Sequence, residues 1–294
     1  MSELASEPSA QTAVDAAPPR TRRRRAGAGL GVGAALVGLV VAAALLSFVW
    51  TPYDPVQVDP TTRIAPPSAE HWLGTDRFGR DVVSQLLVGA RTTLFVGVVA
   101  VGVAAVLGTP LGVLAGMAPR GVGEFLMRVN DLLLAFPALL LAIMFGAVFG
   151  PSTLTAMIAI GIATIPSFAR LARSGTLQVL STEYVLAARA AGRPRRAIAV
   201  RHVLPNIAGL LLVQASVSFA IAVLAEAALS FLGFGTRPPT PSWGRMLQES
   251  QQLLYSTPEL ALWPGLAIAL AVLGFNLLGD GLRDRFDPRL EDSR

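Results

Sequence analysis

The chain has no cysteine, no lysine and only two histidines, His71 and His202, in 294 residues. Without cysteine there can be no disulfide, no thiol nucleophile and no thiolate metal site. The two histidines lie far apart, so no metal centre is expected, although carboxylates alone could hold a harder ion. Charge is also scarce, at 15% of residues, where a soluble domain carries about 25%. No GxxxxGK[ST] phosphate loop is present, so the chain is not expected to be an ATPase, and no catalytic residue stands out. What fills the sequence is apolar, with 53% hydrophobic residues and a mean hydropathy of +0.57. Long uncharged runs at this composition mark an integral membrane protein.

Six runs read as spans, at 26–50, 93–118, 125–149, 152–168, 207–231 and 260–278. They predict an all-α integral membrane fold of six transmembrane helices, with a membrane domain over 26–280. Residues 1–25, rich in Ala, Pro and Ser and closing on Arg20 and Arg22 to Arg25, are expected to form a disordered cytoplasmic tail. Residues 281–294 are expected to form a second. The first run is expected to be a retained span, since TPYDP at 51–55 offers no small-residue cleavage site. Residues 51–91 read as a long external loop whose second half, from Leu73, forms an amphipathic helix leading into the next span, or else a solvated connector; Asp81 would sit in that helix's first turn. In the second span Gly108, Gly112 and Gly116 recur every four residues, which permits close helix contact. Pro110, Pro137 and Pro166 fall in or near spans and suggest kinks.

All 24 basic residues are arginine, and 18 of them lie in the tail, in 119–128, in the central polar loop with its flanks, and at the carboxyl end. Such a bias places both termini and the central loop in the cytoplasm. The net charge of +5 therefore reads as membrane orientation, with no nucleic-acid partner.

The central loop, STEYVLAARAAGRPRRAIAVRHVLP at 181–205, interrupts the apolar runs. From Glu183 it reads as a helix, with Tyr184, Ala187, Ala188 and Ala191 spaced i, i+3, i+4 and i+7, so that small side chains share a face another surface can approach closely. Gly192 suits the left-handed position that ends a helix, and Pro194 is tolerated in the first turn of the next. Two short helices joined by a bend are expected.

This loop resembles the EAA loop of ABC importer permeases, which docks on an ATPase. Against the pattern EAA, three residues, Gly, nine residues, I-x-L-P, the chain keeps Ala187, Ala188, Gly192, Leu204 and Pro205. It departs at Leu186, where Glu is expected, and at His202, where Ile is expected. Further blocks resemble the dipeptide, oligopeptide and nickel branch of the family: LGTDRFGRD at 73–81, EYVLAARAAG at 183–192, RHVLPN at 201–206, EAALSFLGFG at 226–235, PSWGRML at 241–247 and GDGLRDRFDPRL at 279–290. Their order is most similar to that of the second, shorter permease of such pairs.

The resemblance implies a bacterial cell-membrane permease that moves peptides, nickel or a related small solute by alternating access. It implies a second homologous permease subunit, two ATP-binding subunits that use ATP and Mg, and an extracytoplasmic substrate-binding protein, with no cofactor held by this chain. Glu183, Tyr184, Ala187, Ala188, Arg189, Ala191 and Gly192 would form the docking helix, supported by His202, Leu204 and Pro205. Arg189, Arg193, Arg195 and Arg196 would be rim or lipid-headgroup contacts.

An ion-gradient carrier is disfavoured because such carriers place ionisable groups at mid-membrane. A non-transporting membrane scaffold is the remaining alternative. Glu226, about 28 Å along the fifth span and near its outer end, reads either as a structural carboxylate or as a gate residue facing the pore.

Overall fold

A computed structural model describes residues 21–286. Ten α-helices run in order: α1 (Thr21–Val49), α2 (Val82–Met117), α3 (Arg120–Leu134), α4 (Ala138–Phe149), α5 (Thr153–Leu180), α6 (Glu183–Ala190), α7 (Arg195–Ile198), α8 (Leu204–Phe231), α9 (Trp243–Ser250) and α10 (Glu259–Phe286). A π-helical turn, Ala199–Val203, fuses α7 to α8. Among the described residues five helices are long and apolar enough to cross a membrane, and the bent pair α3 and α4 makes six if taken as one span. Residues 1–20 and 287–294, which hold most of both expected tails, lie outside the described residues.

The bundle is built on the pairing of α2 with α5. A Cβ placed on Gly108 would lie 2.6 Å from the Ile165 carbonyl oxygen, one on Gly112 would collide with the Ala169 carbonyl, and one on Gly116 would meet the Thr176 side chain at 2.8 Å. The four-residue glycine repeat thus faces α5 along three turns, opposite the fully buried Ala169 and Ala172. Lipid tails are as apolar as leucine, so packing rather than a hydrophobic drive must hold spans together, and small residues permit it. The same device joins α1 to α10, where Gly33 faces Leu277 and Leu278 while Gly274 and Gly281 face Val37 and Leu30.

Four expectations about boundaries are corrected. The run 125–149 is not one helix: α3 and α4 meet at 76° around Pro137. Proline removes a backbone donor and turns its predecessor away from helical geometry. Helix α3 buries only Gly123, Met127 and Asn130, a single amphipathic stripe, and the 12-residue α4 is about 18 Å long, too short to cross alone. The run 152–168 does not end at its arginines, because α5 continues through Arg170 and Arg173 to Leu180. Arginine ends a lipid-compatible run, not a helix. Residues 281–286 belong to α10 rather than to a tail.

The fourth correction concerns 73–81, which is a tight turn and not a helix. Gly74 and Gly79 take positive φ, and Asp76 Oδ1 accepts from the backbone N–H groups of Phe78 (2.8 Å) and Arg80 (3.0 Å), an arrangement that competes with helix formation. Asp81 caps α2 from outside it, its Oδ2 accepting from Ser84 N at 2.8 Å. Arg80, Asp81 and Gln85 are buried, so this segment is no solvated connector.

Gly112→Val should force α2 and α5 apart, costing about 1 to 3 kcal/mol or more and lowering the thermal midpoint of the detergent-solubilised protein. Gly102, with nothing near its Cβ position, supplies the control: Gly102→Val should melt as the parent does. Equal midpoints for the two variants would remove the glycine repeat from the packing account.

Candidate functional site: an exposed helix carried by two spans

Beyond Leu180 the chain turns through Ser181 and Thr182 into α6. Val185 is the one buried residue of this helix. It joins Val179, Leu180, Ile198, Val203 and Ile207, with Val113 and Ala172, in a small apolar cluster of its own. This cluster clips α6 to the ends of α5 and α8. Around Val185 the remaining positions point outward: Glu183, Tyr184, Leu186, Ala187, Arg189 and Ala191 are exposed and Ala188 is half-buried.

Helix α6 ends as its glycine foretells. Gly192 has φ +75°, and the N–H groups of Arg193 and Gly192 donate to the carbonyls of Ala188 (3.1 Å) and Arg189 (2.9 Å). These paired 6→1 and 5→2 bonds form a Schellman cap, which consumes the last carbonyls and turns the chain sharply. Pro194 then stands immediately before α7. The result is a short platform with an alanine-rich outer surface, a tyrosine at its start and Arg189, Arg193, Arg195 and Arg196 exposed around its far end. Among the described residues none of these four arginines has a carboxylate partner.

The supporting residues sit beneath and beside the platform. The His202 ring lies 5.8 Å from that of Tyr184, inclined at 59°, so the π turn and α6 touch through aromatic faces. Leu204 and Pro205 open α8 directly after the π turn, and because proline has no N–H to donate, the hydrogen-bond ladder is altered at this junction. The second expected short helix is therefore not separate: α7, the π turn and α8 form one continuous helical rod from Arg195 to Phe231.

Glu226 lies at the opposite end of the bundle, enclosed among hydroxyl groups. It is 1% exposed. Its Oε1 accepts from Ser230 Oγ at 2.7 Å and Thr236 Oγ1 at 3.4 Å, and Thr93 and Ser242 also face it. In this conformation the carboxyl is enclosed and ties α8 to the segment that follows it.

Sequence reasoning missed the ionic cluster at the same end. Arg80 Nε donates to Asp76 Oδ2 at 2.7 Å, and its Nη2 pairs with Glu249 of α9, which also pairs with Arg245 at 2.7 Å. Gln85 Nε2 adds a bond to Asp76 at 3.0 Å. Burial, the largest influence on Arg80, opposes its charge, but Asp76 and Glu249 outweigh it and hold the guanidinium more basic than an ordinary arginine. Nearby, His71 Nδ1 lies 3.0 Å from Asp81 Oδ1. The signal for this cluster was the density of charge in LGTDRFGRD and PSWGRMLQE, two segments distant in sequence.

No group of three or more histidine, aspartate or glutamate residues that could hold a metal occurs among the described residues. The described residues thus form a bundle of helices long and apolar enough to cross a membrane, with one capped, small-faced helix presented at an end. Residues 108–292 match the family of binding-protein-dependent transport system inner membrane components, and the chain belongs to that family. It is 43% identical to the dipeptide transport system permease protein DppC of Alkalihalophilus pseudofirmus, covering 87% of this chain and 86% of that protein. It is 41% identical to the glutathione transport system permease protein GsiD of Pectobacterium atrosepticum (86% and 84% covered) and 38% identical to the probable D,D-dipeptide transport system permease protein DdpC of Escherichia coli (85% and 86%). Its fold is that of a type I ABC importer permease, matching a chain of the inward-facing MetNI methionine ABC transporter with a TM-score of 0.55 at 18% identity, over 71% of this chain and 96% of that one.

Val185→Ala removes two methylene equivalents from a fully buried site, a loss of about 2 kcal/mol with its cavity. Tryptic cleavage of the solubilised protein at Arg189 to Arg196 should accelerate several-fold while the global melting midpoint shifts little. Unchanged cleavage would mean that Val185 does not hold the platform.

Proposed function

We propose that this permease imports peptides, and that α6 is the helix through which partner ATPases drive it. The observation that carries the coupling role is the exposure of Tyr184, Ala187 and Ala191 on a helix whose buried residue, Val185, is locked to two long spans. A small, rigid outer face accepts a close partner, and the apolar cluster beneath it passes displacement to α5 and α8. The peptide assignment is supported by relatives named for dipeptide, D,D-dipeptide and glutathione transport. ATP and Mg would be used by two ATP-binding subunits, with a second permease and an extracytoplasmic binding protein completing the importer. The arginine distribution supports a cytoplasmic α6 in a bacterial cell membrane, with both termini on the same side.

Ala187→Trp places bulk on an exposed position without touching the cluster beneath. It should insert and fold normally yet reduce copurification of the ATPase and uptake of a labelled dipeptide about fivefold or more, since a bulky intrusion into a close interface costs about 1 to 3 kcal/mol. Full uptake by this variant would refute docking on this face. Sidedness is separable because the chain has no native cysteine: a cysteine at the exposed Ser68 should react with an impermeant maleimide in intact cells, and one at the exposed Ser181 should not. The reverse pattern would overturn the orientation.

A further inference from the structure

An open groove of about 500 Å³ runs along the outside of the bundle between α1 and α2, near the end that carries α9. Its walls are Val41, Leu45 and Phe48 of α1 with Leu94, Phe95 and Val98 of α2. At its head stands Arg91, with Thr153 and Thr240 beside it. The volume falls within the range of small-molecule sites, about 300 to 1,000 Å³, and the lining has their composition, mostly apolar with a few polar groups at one end.

Two features set the depth of that head. Arg91 is the last charge before the uncharged run of α2, and Phe48 lies one residue from the end of α1. Beside them, Trp50 and Trp72 form an exposed tryptophan pair with ring centroids 6.3 Å apart, and tryptophan is enriched where hydrocarbon gives way to headgroups. Arg91 therefore stands at headgroup level. From Arg91 to Val98, and from Phe48 to Val41, the walls descend about 10 Å into the hydrocarbon.

Arg91 is also short of partners. Its guanidinium carbon lies 4.6 Å from the Phe48 ring centroid, an attraction to one face of the ion that leaves its N–H donors in the plane. Among the described residues no carboxylate pairs with it, whereas Arg120, Arg170 and Arg245 each have one and Arg80 has two. A planar fork of donors at headgroup depth, above an apolar channel, complements a phosphate carrying an acyl chain.

We propose that the α1–α2 groove binds one anionic phospholipid, its headgroup phosphate on Arg91 and its acyl chain along Leu45, Phe48, Leu94 and Val98. The site would fasten α1 to the rest of the bundle through a lipid at the level where α1 leaves α2.

The absence of native cysteine makes the test direct. Leu45→Cys, at an exposed position in the groove, is labelled with bimane and the assembled transporter is reconstituted in phosphatidylcholine vesicles. Small fractions of phosphatidylglycerol or phosphatidylcholine bearing a nitroxide on the acyl chain are then titrated in. The expected result is saturable quenching by the anionic lipid at a several-fold lower mole fraction than by the zwitterionic one. Arg91→Gln should abolish that preference and Arg91→Lys should retain most of it, with ATP hydrolysis by the transporter unchanged in both. Equal quenching by the two lipids would mean ordinary annular lipid and would overturn the proposal. Absence of quenching by either would mean that protein, such as a partner permease, covers the groove, and would overturn it as well.

Discussion

Close backbone contact between α2 and α5 is the constraint on which the remaining structure depends. In hydrocarbon no hydrophobic gain rewards the association of two apolar helices, so the contact must be made by shape. Three glycines on one helix and buried alanines on the other let the backbones approach through the middle of the bundle. Both helices then extend past the contact in opposite directions. Helix α2 begins at the Asp81 cap, where the ionic cluster sits, and α5 ends at Leu180, where the α6 platform is clipped on. The pairing thus sets the positions of the two polar ends relative to one another.

The end that carries α9 is fixed differently, by charge withdrawn from water. A buried ion pair is stabilising only when its geometry recovers the cost of desolvation, and removing one member leaves an uncompensated charge that costs several kcal/mol. Arg80 meets that requirement with two carboxylates, one from its own turn and one from α9. Such a cluster adds less to net stability than its number of contacts suggests. What it does is tie α9 to the loop, joining residues 169 positions apart in the chain.

Much of this architecture was legible in the sequence. The apolar runs marked where lipid-compatible helix lies, the glycine repeat marked its packing face, and Gly192 marked the end of α6. What was not legible has two physical causes. Helix limits are set by caps and prolines, whereas lipid limits are set by charge, so α5 continues beyond Arg170 and the run 125–149 breaks at Pro137. Burial of polar groups depends on partners distant in the chain: Arg80 meets Glu249, and Glu226 meets Thr236 after the chain has turned back. Periodicity carries no information about either meeting. For α6 the outward small face is readable from spacing, but the one inward residue, Val185, stands outside the i, i+3, i+4, i+7 pattern of Tyr184, Ala187, Ala188 and Ala191.

The platform's mechanical setting follows from how its neighbours end. Helix α5 reaches it without interruption after the α2 contact, and α7, the π turn and α8 leave it as one rod. A load applied to α6 reaches them through packing, because the Ser181–Thr182 turn and the Gly192–Pro194 bend separate α6 from both along the chain. It passes through Val185 into a cluster shared by Leu180 of α5 and by Ile198, Val203 and Ile207 of the rod. Close-packed apolar clusters resist being stretched or sheared, because even sub-ångström gaps forfeit much of the contact energy. The two spans must then move with the platform, and compliance is left to the places where the hydrogen-bond ladder is already altered: Pro166 within α5 and the π turn before α8.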